Sequence, residues 1–282
     1  MSDCSYWRKI KKGDFPRVEK LLKDVENNYV NACAKFISRK EANTLIWVLC
    51  KKNDNIQALL INSKNNILPV LCGVKIPALD LKKGGFLPSK KIHSVQGLKN
   101  EVIILENELS KNGLNAKEII DYELMALDVP PGKGKNLSDF SNLVLRTPVM
   151  TDIDAMAPLQ AGYEKEEVLP KGSIFNHTAS RLNLSNIIAK GQVLAAELDG
   201  RLIGKINVSG LSFTRYQVGG VYVHPDFRGR GIGRRMAYEF ISSLICEGRG
   251  VTLFVRKTNI SARRLYLSLG FTVINDYRIS YY

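Results

Sequence analysis

The residues best suited to chemistry lie in one segment, residues 217–236, where glycines and arginines separate an apolar strand from an apolar helix. Three glycines leave backbone N–H groups open to a phosphate, because no Cβ blocks its approach, and the helix N-terminus adds partial positive charge. These glycines are Gly229, Gly231 and Gly233. Forked donors suited to phosphate oxygens flank them: Arg228, Arg230, Arg234 and Arg235. The segment therefore predicts a site for a pyrophosphate-bearing ligand.

The glycine spacing argues against two common nucleotide-binding loops. A dinucleotide fold requires G-x-G-x-x-G directly after its first strand, whereas these glycines are one residue short of that pattern and follow a His-Pro-Asp-Phe turn. A P-loop requires G-x-x-x-x-G-K-[ST], and the nearest run, residues 131–135, lacks a hydroxyl residue after its lysine. The remaining alternatives are a different kind of anion loop and an ordinary glycine-rich turn.

A second block of suitable residues follows the loop. Residues 250–256 read as an apolar strand, Asn259 is suited to cap a helix N-terminus, and Gly270 is suited to end that helix. The pattern predicts a helix over about residues 260–269. Asn259 and Tyr266 are two helical turns apart, so they share one face. A packing tyrosine is the alternative interpretation of Tyr266.

Together the two blocks resemble the GNAT superfamily of N-acyltransferases. Residues 228–233 match the acyl-CoA loop pattern [QR]-x-x-G-x-[GA], and the strand, the asparagine, the tyrosine-bearing helix and the closing Gly-Phe follow in the family's order. The resemblance implies acetyl-CoA as cosubstrate and no metal. It implies cofactor contacts at Val221, Tyr222, Val223, Arg228, Gly229, Arg230, Gly231, Ile232, Gly233, Arg234, Asn259, Ala262 and Tyr266. It also implies that the strand before the loop bulges and parts from its neighbour.

The chemistry of acyl transfer explains these residue types. An amine that attacks a thioester needs a donor for the developing oxyanion and a proton source for the leaving thiolate. Gly219 and Gly220 permit a β-bulge, so the backbone N–H groups of Val221 and Val223 are candidate oxyanion donors. Tyr266, with an ordinary pKa of about 10, is the candidate general acid. Neither block contains a cysteine, which favours direct attack over an acyl-cysteine intermediate.

The acceptor side is predicted from the acidic cluster of Glu164, Glu166 and Glu167, which stands out in a basic chain. In GNAT folds the end of the first helix borders the acceptor site, where carboxylates attract a cationic amine and accept its proton. Glu166 and Glu167 are therefore candidate catalytic residues, although such runs usually form a solvated helix face. His177 is a further candidate base, with a structural role as the alternative. The expected partner is an amine-bearing small molecule or peptide.

The composition changes midway along the chain. Residues 1–140 contain 20 Lys and 3 Arg, whereas residues 141–282 contain 5 Lys and 13 Arg. Residues 128–139 are rich in proline and glycine and read as a linker, which places a boundary near Phe140. We expect an α/β fold with a mixed sheet, built from two GNAT-like domains in tandem. Residues 1–140 form the domain without a CoA site, and residues 141–282 form the N-acetyltransferase domain.

The first half shows a similar element order without the loop. Its apolar residues recur at helical spacing over residues 15–36, which predicts a core-facing amphipathic helix there. Strands are predicted at residues 44–50, 57–61, 67–71, 92–95 and 119–127. A second helix is predicted at residues 100–109. Residues 93–99, which we match to the Arg/Gly loop, contain one glycine and no arginine. We interpret this half as a degenerate GNAT-like domain, an arrangement that resembles bacterial tandem proteins, and expect it to shape the acceptor side.

Charge and composition limit the classes of protein to which this chain can belong. A hydrophobic content of 45% and a charged content of 24% are globular values, and five scattered cysteines fit reduced thiols. Without a leader peptide or apolar span, we expect a cytoplasmic monomer or homodimer that binds no membrane. The net charge of +14 fits a polyanionic cofactor. No sequence motif supports nucleic-acid binding, which stays a lesser alternative to the enzyme. The second alternative is a protein that senses acyl-CoA without catalysing a reaction.

Overall fold

The fold is given by a computed structural model, which describes residues 5–40, 44–51, 54–77, 92–132 and 142–282. The predicted boundary at Phe140 and much of the predicted linker lie outside these ranges. Within them, no helix combines the length and the apolar character that crossing a membrane requires.

The two halves share an element order of one strand, two helices, three strands, and then a strand, a helix and a last strand. The second half has one further helix, Ile232–Cys246, after its three consecutive strands. The described elements of the first half are β1 (Tyr6–Lys9), α1 (Phe15–Asp24), α2 (Glu26–Ile37), β2 (Leu45–Cys50), β3 (Ile56–Ser63), β4 (Asn66–Val70), β5 (Ser94–Leu98), α3 (Lys99–Ser110) and β6 (Glu118–Leu127). Those of the second half are β7 (Leu143–Arg146), α4 (Ile153–Tyr163), α5 (His177–Ala189), β8 (Val193–Leu198), β9 (Arg201–Leu211), β10 (Arg215–Val223), α6 (Ile232–Cys246), β11 (Gly250–Arg256), α7 (Ile260–Ser268) and β12 (Thr272–Tyr281).

The twelve strands of the described residues form one mixed sheet, in the order β1-β2-β3-β4-β5-β12-β6-β11-β10-β9-β8-β7. The halves exchange their last strands, because β12 lies between β5 and β6, and β6 lies between β12 and β11. The β4–β5 and β10–β11 pairs are parallel, and the other neighbouring strands are antiparallel. The predicted mixed α/β fold is confirmed.

Helices cover both faces of the second half's sheet. On β8, the adjacent residues Ala195 and Ala196 point to opposite faces, as the strand period requires. One face packs against α6 through Met236 and Ile241. The other packs against α4 and α5, whose buried residues include Met156. The loop and the acidic cluster are therefore attached to helices on opposite faces of one sheet.

Two expectations for the first half were wrong. The helix predicted over residues 15–36 is broken at Val25, whose backbone leaves the helical region at φ −115°. The following Glu26 is buried and accepts hydrogen bonds from Thr214 N at 2.8 Å and from the Ser212 hydroxyl, so α2 is anchored to the second half. Residues 93–99, matched above to the loop, instead form β5 and the start of α3. Since β5 pairs with β4 in parallel, it corresponds to β11.

Candidate functional site

The glycine loop connects β10 to α6, and the structural requirement for glycine differs from one loop position to the next. Gly229 and Gly231 adopt φ values of 75° and 78°, and Gly231 is the N-cap of α6. This left-handed backbone favours glycine whether or not a ligand binds. Gly233 lies in the first turn of α6, and a Cβ there would make only ordinary contacts of 3.5 Å with Val223 and 3.6 Å with Leu265. Packing within the chain therefore does not require a glycine at position 233.

The arginines beside the loop differ in their present contacts. Arg228 donates to the Val223 carbonyl at 2.9 Å and forms an ion pair with Glu166 at 2.9 Å. Arg234 donates to the Ser268 carbonyl at 3.3 Å. The Arg230 guanidinium lies 5.7 Å from the centre of the Phe227 ring. Of the predicted phosphate donors, Arg228 is already engaged with a carboxylate.

The strands behind the loop part in their second half. β10 and β11 pair only from Arg215–Gly250 to Val218–Leu253, while β10 continues along β9 to Val223. The register of β10 against β9 shifts between Gly219 and Tyr222, and Gly220 has a φ of 61°. A Cβ on Gly220 would lie 1.9 Å from Asn207 Oδ1, so only glycine fits. The expected bulge is present, and a cavity of about 210 Å³ borders it.

This first cavity brings together most of the residues selected in the second sequence block. Val221, Asn259, Ala262 and Tyr266 all line it. The Asn259 side chain caps α7 by accepting a hydrogen bond from Ala262 N at 3.0 Å, as predicted. Tyr266 is 6% exposed, and burial, with lesser contributions from Tyr163 and Glu167, raises its pKa well above the ordinary value. The phenol therefore stays protonated at neutral pH.

Three other predicted cofactor contacts have side chains that face the interior. Ile232 belongs to the core beneath α6, and Val223 packs against that core. The Tyr222 hydroxyl donates to Glu166 Oε1 at 2.9 Å, and its ring leaves no room for a Cβ on Gly162 of α4. Ile232 and Tyr222 are buried, so they can meet a cofactor mainly through their backbone, whereas Val223 is half-buried.

The acidic cluster lies on a π-helical turn, Glu164–Val168, that extends α4. This turn directs the carboxylates to different places. Glu166 is held by Arg228 and Tyr222. Glu167 lines the first cavity and accepts from Asn259 Nδ2 at 3.0 Å; burial raises its pKa, and nearby Arg256 partly offsets this. Glu164, a member of the predicted acidic cluster that was not chosen as a catalytic candidate, accepts from the side chain of Gln160, one helical turn earlier, at 2.6 Å.

A second cavity of about 630 Å³ lies next to the first. Both cavities are lined by Tyr163, Val168, Ser209 and Gly220, so they meet at the bulge. The second cavity contains Glu164, Lys190 and a set of carboxamides: Gln160, Asn183, Asn186, Gln192 and Asn207. His177 lines neither cavity; it is exposed, and its ring packs edge-on against Phe175.

In the first half, a carboxylate occupies the end of β4. Glu101, which is 5% exposed, accepts from Leu71 N at 3.0 Å, Cys72 N at 2.9 Å and the Tyr29 hydroxyl at 2.6 Å. Cys72 has a φ of 53°, close to that of Gly220 in the second half. The backbone N–H groups that follow β4 therefore already have an acceptor from α3.

Comparison with known proteins agrees with this geometry. Residues 161–271 match the family model described as "Acetyltransferase (GNAT) family". The second half contains a GNAT domain. It is similar to the N-alpha-acetyltransferase RimI of Mycobacterium tuberculosis, with 38% identity over 81 residues, which are 28% of this chain and 50% of that protein. It is also similar to an uncharacterized N-acetyltransferase of Archaeoglobus fulgidus, with 36% identity over 28% of this chain and 58% of that one. The chain thus spans about half the length of these relatives.

Solved structures extend the likeness of fold to the first half. A Drosophila protein superposes with a TM-score of 0.71 at 12% identity, covering 99% of both chains. A GCN5-related N-acetyltransferase from Sphaerobacter thermophilus gives 0.62 at 17% identity over 98% of this chain and 94% of that one. A tandem GNAT protein from the clavulanic acid biosynthesis pathway gives 0.57 at 13% identity over 98% of both. The degenerate origin of the first half stays a prediction.

Proposed function

We propose that this protein transfers an acetyl group from acetyl-CoA to a primary amine by direct attack. The observation that carries the proposal is the parting of β10 from β11 behind the glycine loop, with a buried, protonated Tyr266 inside the gap. The GNAT match and the N-acetyltransferase names of two relatives support the same reaction class.

In this proposal the loop and the bulge bind the cofactor through backbone donors. The N–H groups of residues 229–234 meet the pyrophosphate at the N-terminus of α6. The missing Cβ of Gly233 fits this role, since the protein's own packing leaves room for one. The N–H of Val221 binds the thioester carbonyl and stabilises the charge that develops there.

Tyr266 serves as the general acid for the departing thiolate. Its buried phenol is protonated at neutral pH and donates to the sulfur as the C–S bond breaks, so that CoA leaves as the thiol. No cysteine of the described residues lines either cavity, which supports attack by the amine itself. Glu167 borders the first cavity and is the candidate to accept the amine's proton.

The second cavity is the proposed acceptor site. Glu164 supplies a carboxylate that attracts a cationic amine, and the surrounding carboxamides can donate to and accept from hydroxyl or amide groups. Glu166, engaged with Arg228, is better suited to fix the end of the π-helical turn than to act on substrate.

A thiol-release assay with acetyl-CoA and a panel of amines tests the proposal. We expect amine-dependent release of CoA, with primary amines that also carry hydroxyl or amide groups preferred. Calorimetry on the same preparation measures acetyl-CoA binding directly. Tight binding without turnover of any amine would instead support a sensor, and absence of binding would refute the cofactor site.

A further inference from the structure

A lysine is completely buried behind the bulge. Lys205 lies in the middle of β9 with 0% exposure, and none of the ion pairs among the described residues involves it. Its Nζ donates to Asn207 Oδ1 at 2.7 Å and to the Gly220 carbonyl at 3.1 Å, and it lies 5.1 Å from the centre of the Tyr163 ring. Lysine is almost never fully buried without a partner charge, so this position calls for a functional reason.

The carbonyl that Lys205 holds belongs to the peptide group of the bulge. The Gly220 C=O and the Val221 N–H are two ends of one planar, conjugated unit. A cation that donates to the oxygen draws electron density from the nitrogen, and hydrogen bonds linked in this way strengthen one another. The fit is close, because a Cβ on Gly220 would lie 2.7 Å from Lys205 Nζ.

We propose that Lys205 is a positioning residue that fixes and polarises the Gly220–Val221 peptide, so that the Val221 N–H becomes a stronger donor to the acyl carbonyl. The proposal rests on the function proposed above. It assigns the buried ammonium a role behind the oxyanion donor, without direct contact with substrate. In a water-excluded interior such an oriented charge acts more strongly than it does in solvent.

The protonation state of Lys205 makes the effect depend on pH. Burial lowers the pKa of Lys205 to about 7, and the Glu164 carboxylate on the neighbouring helix raises it in part. The other titratable groups beside it are the phenols of Tyr163 on α4 and Tyr222 on β10, whose pKa values burial raises, so both are neutral. The ammonium therefore loses its proton near neutral pH, and full polarisation is expected only below that point.

Infrared spectroscopy of bound acetyl-CoA, carrying 13C at the acetyl carbonyl, tests this without an acceptor. A stronger N–H donor moves the C=O stretch to lower frequency. In the wild-type protein we expect the stretch to rise as pH increases through about 7. In Lys205→Met, whose unbranched side chain is uncharged and one atom shorter, the stretch should be higher than in the wild type at low pH and independent of pH. Equal frequencies in both proteins at every pH would overturn the proposal.

Kinetics and a second variant complete the test. With an amine found active in the panel, Lys205→Met should keep the KM for acetyl-CoA within about threefold while kcat at pH 6 falls roughly tenfold or more, since the donor remains but is weaker. If Lys205→Met does not fold, Asn207→Asp keeps the lysine and places a carboxylate 2.7 Å from its amine. The pH midpoint of the infrared shift should then rise, and an unchanged midpoint would refute the inference. A wild-type protein that binds no acetyl-CoA would overturn the proposed function itself.

Discussion

The variant Gly233→Ala tests whether the ligand, rather than the packing of the protein, requires a glycine at position 233. The new methyl group would meet Val223 and Leu265 at ordinary contact distances, and position 233 has no left-handed backbone to strain. Replacing glycine by alanine in a helix stabilises it by up to about 1 kcal/mol. We therefore expect a free energy of unfolding that is unchanged or about 0.5–1 kcal/mol higher.

The same methyl group stands where the proposed pyrophosphate approaches the backbone. Loss of one charge-assisted hydrogen bond, at roughly 1.5–3 kcal/mol, weakens acetyl-CoA binding by about tenfold to 150-fold. Calorimetric titration with acetyl-CoA and denaturant unfolding measure the two quantities on one preparation. A stable Gly233→Ala protein with wild-type affinity would refute the placement of the pyrophosphate.

Two control variants are needed to interpret the result for Gly233→Ala. Gly13→Ala adds a methyl group with no atom within 4 Å and without left-handed backbone, in the first half, so it should change neither quantity. Gly229→Ala has the same open surroundings but a φ of 75°, so it should lose about 1 kcal/mol of stability. Its effect on affinity therefore mixes strain with ligand contact, and the same holds for substitutions of Gly231.

Four further outcomes follow from the site and the sheet. Tyr266→Phe should keep acetyl-CoA affinity and lower kcat by about 10²–10⁴-fold; a wild-type kcat at every pH would remove this phenol from the mechanism. Because Glu101 already accepts from the backbone donors that follow β4 in the first half, the full chain should bind one acetyl-CoA by calorimetry, and a stoichiometry of two would contradict this. Residues 142–282 alone lack β6, which separates β11 from β12, so circular dichroism should show no cooperative unfolding unless residues 5–132 are coexpressed; a cooperatively folded fragment would show that the exchange is dispensable. Burial lowers the pKa of Lys205 from 10.5 to about 7. Between these two pH values the lysine is therefore protonated in the unfolded chain but not in the folded protein. Stability should rise with pH across that window in the wild type; an equal rise in Lys205→Met would assign it to other groups.

Local features of the second half were predictable because local chemistry determines them. The strand over residues 250–256 was predicted at its observed bounds, and Asn259 caps α7 as expected. Gly270 ends that helix with a φ of 99°, a conformation that favours glycine. The bulge at Gly220 follows from the same preference. Each of these depends on a residue's own backbone or on neighbours within one helical turn.

Features that depend on partners distant in sequence were not predictable in the same way. The residues of the acidic cluster were visible, but the π-helical turn decides that Glu164, rather than Glu166, lines the larger cavity. Lys205 sits in a strand pattern where a lysine ordinarily faces solvent, and only the packing of α4 over β9 buries it. The strand predicted at residues 119–127 is present as β6, but its apolar pattern carried no information about which strands it pairs with.

The exchange of last strands gives the first half a place in the proposed site. Tyr122 on β6 lines the first cavity beside Tyr266. Glu118, also on β6, accepts a hydrogen bond from Lys171 N at 2.7 Å, and Tyr281 on β12 donates to the Val168 carbonyl at 3.1 Å. These contacts hold both ends of the segment that leaves the π-helical turn, and so they restrain the turn that carries Glu167. We therefore expect the first half to be required even without a cofactor of its own, because its last strand supplies Tyr122 to the wall of the first cavity and is the hydrogen-bonding partner of β11.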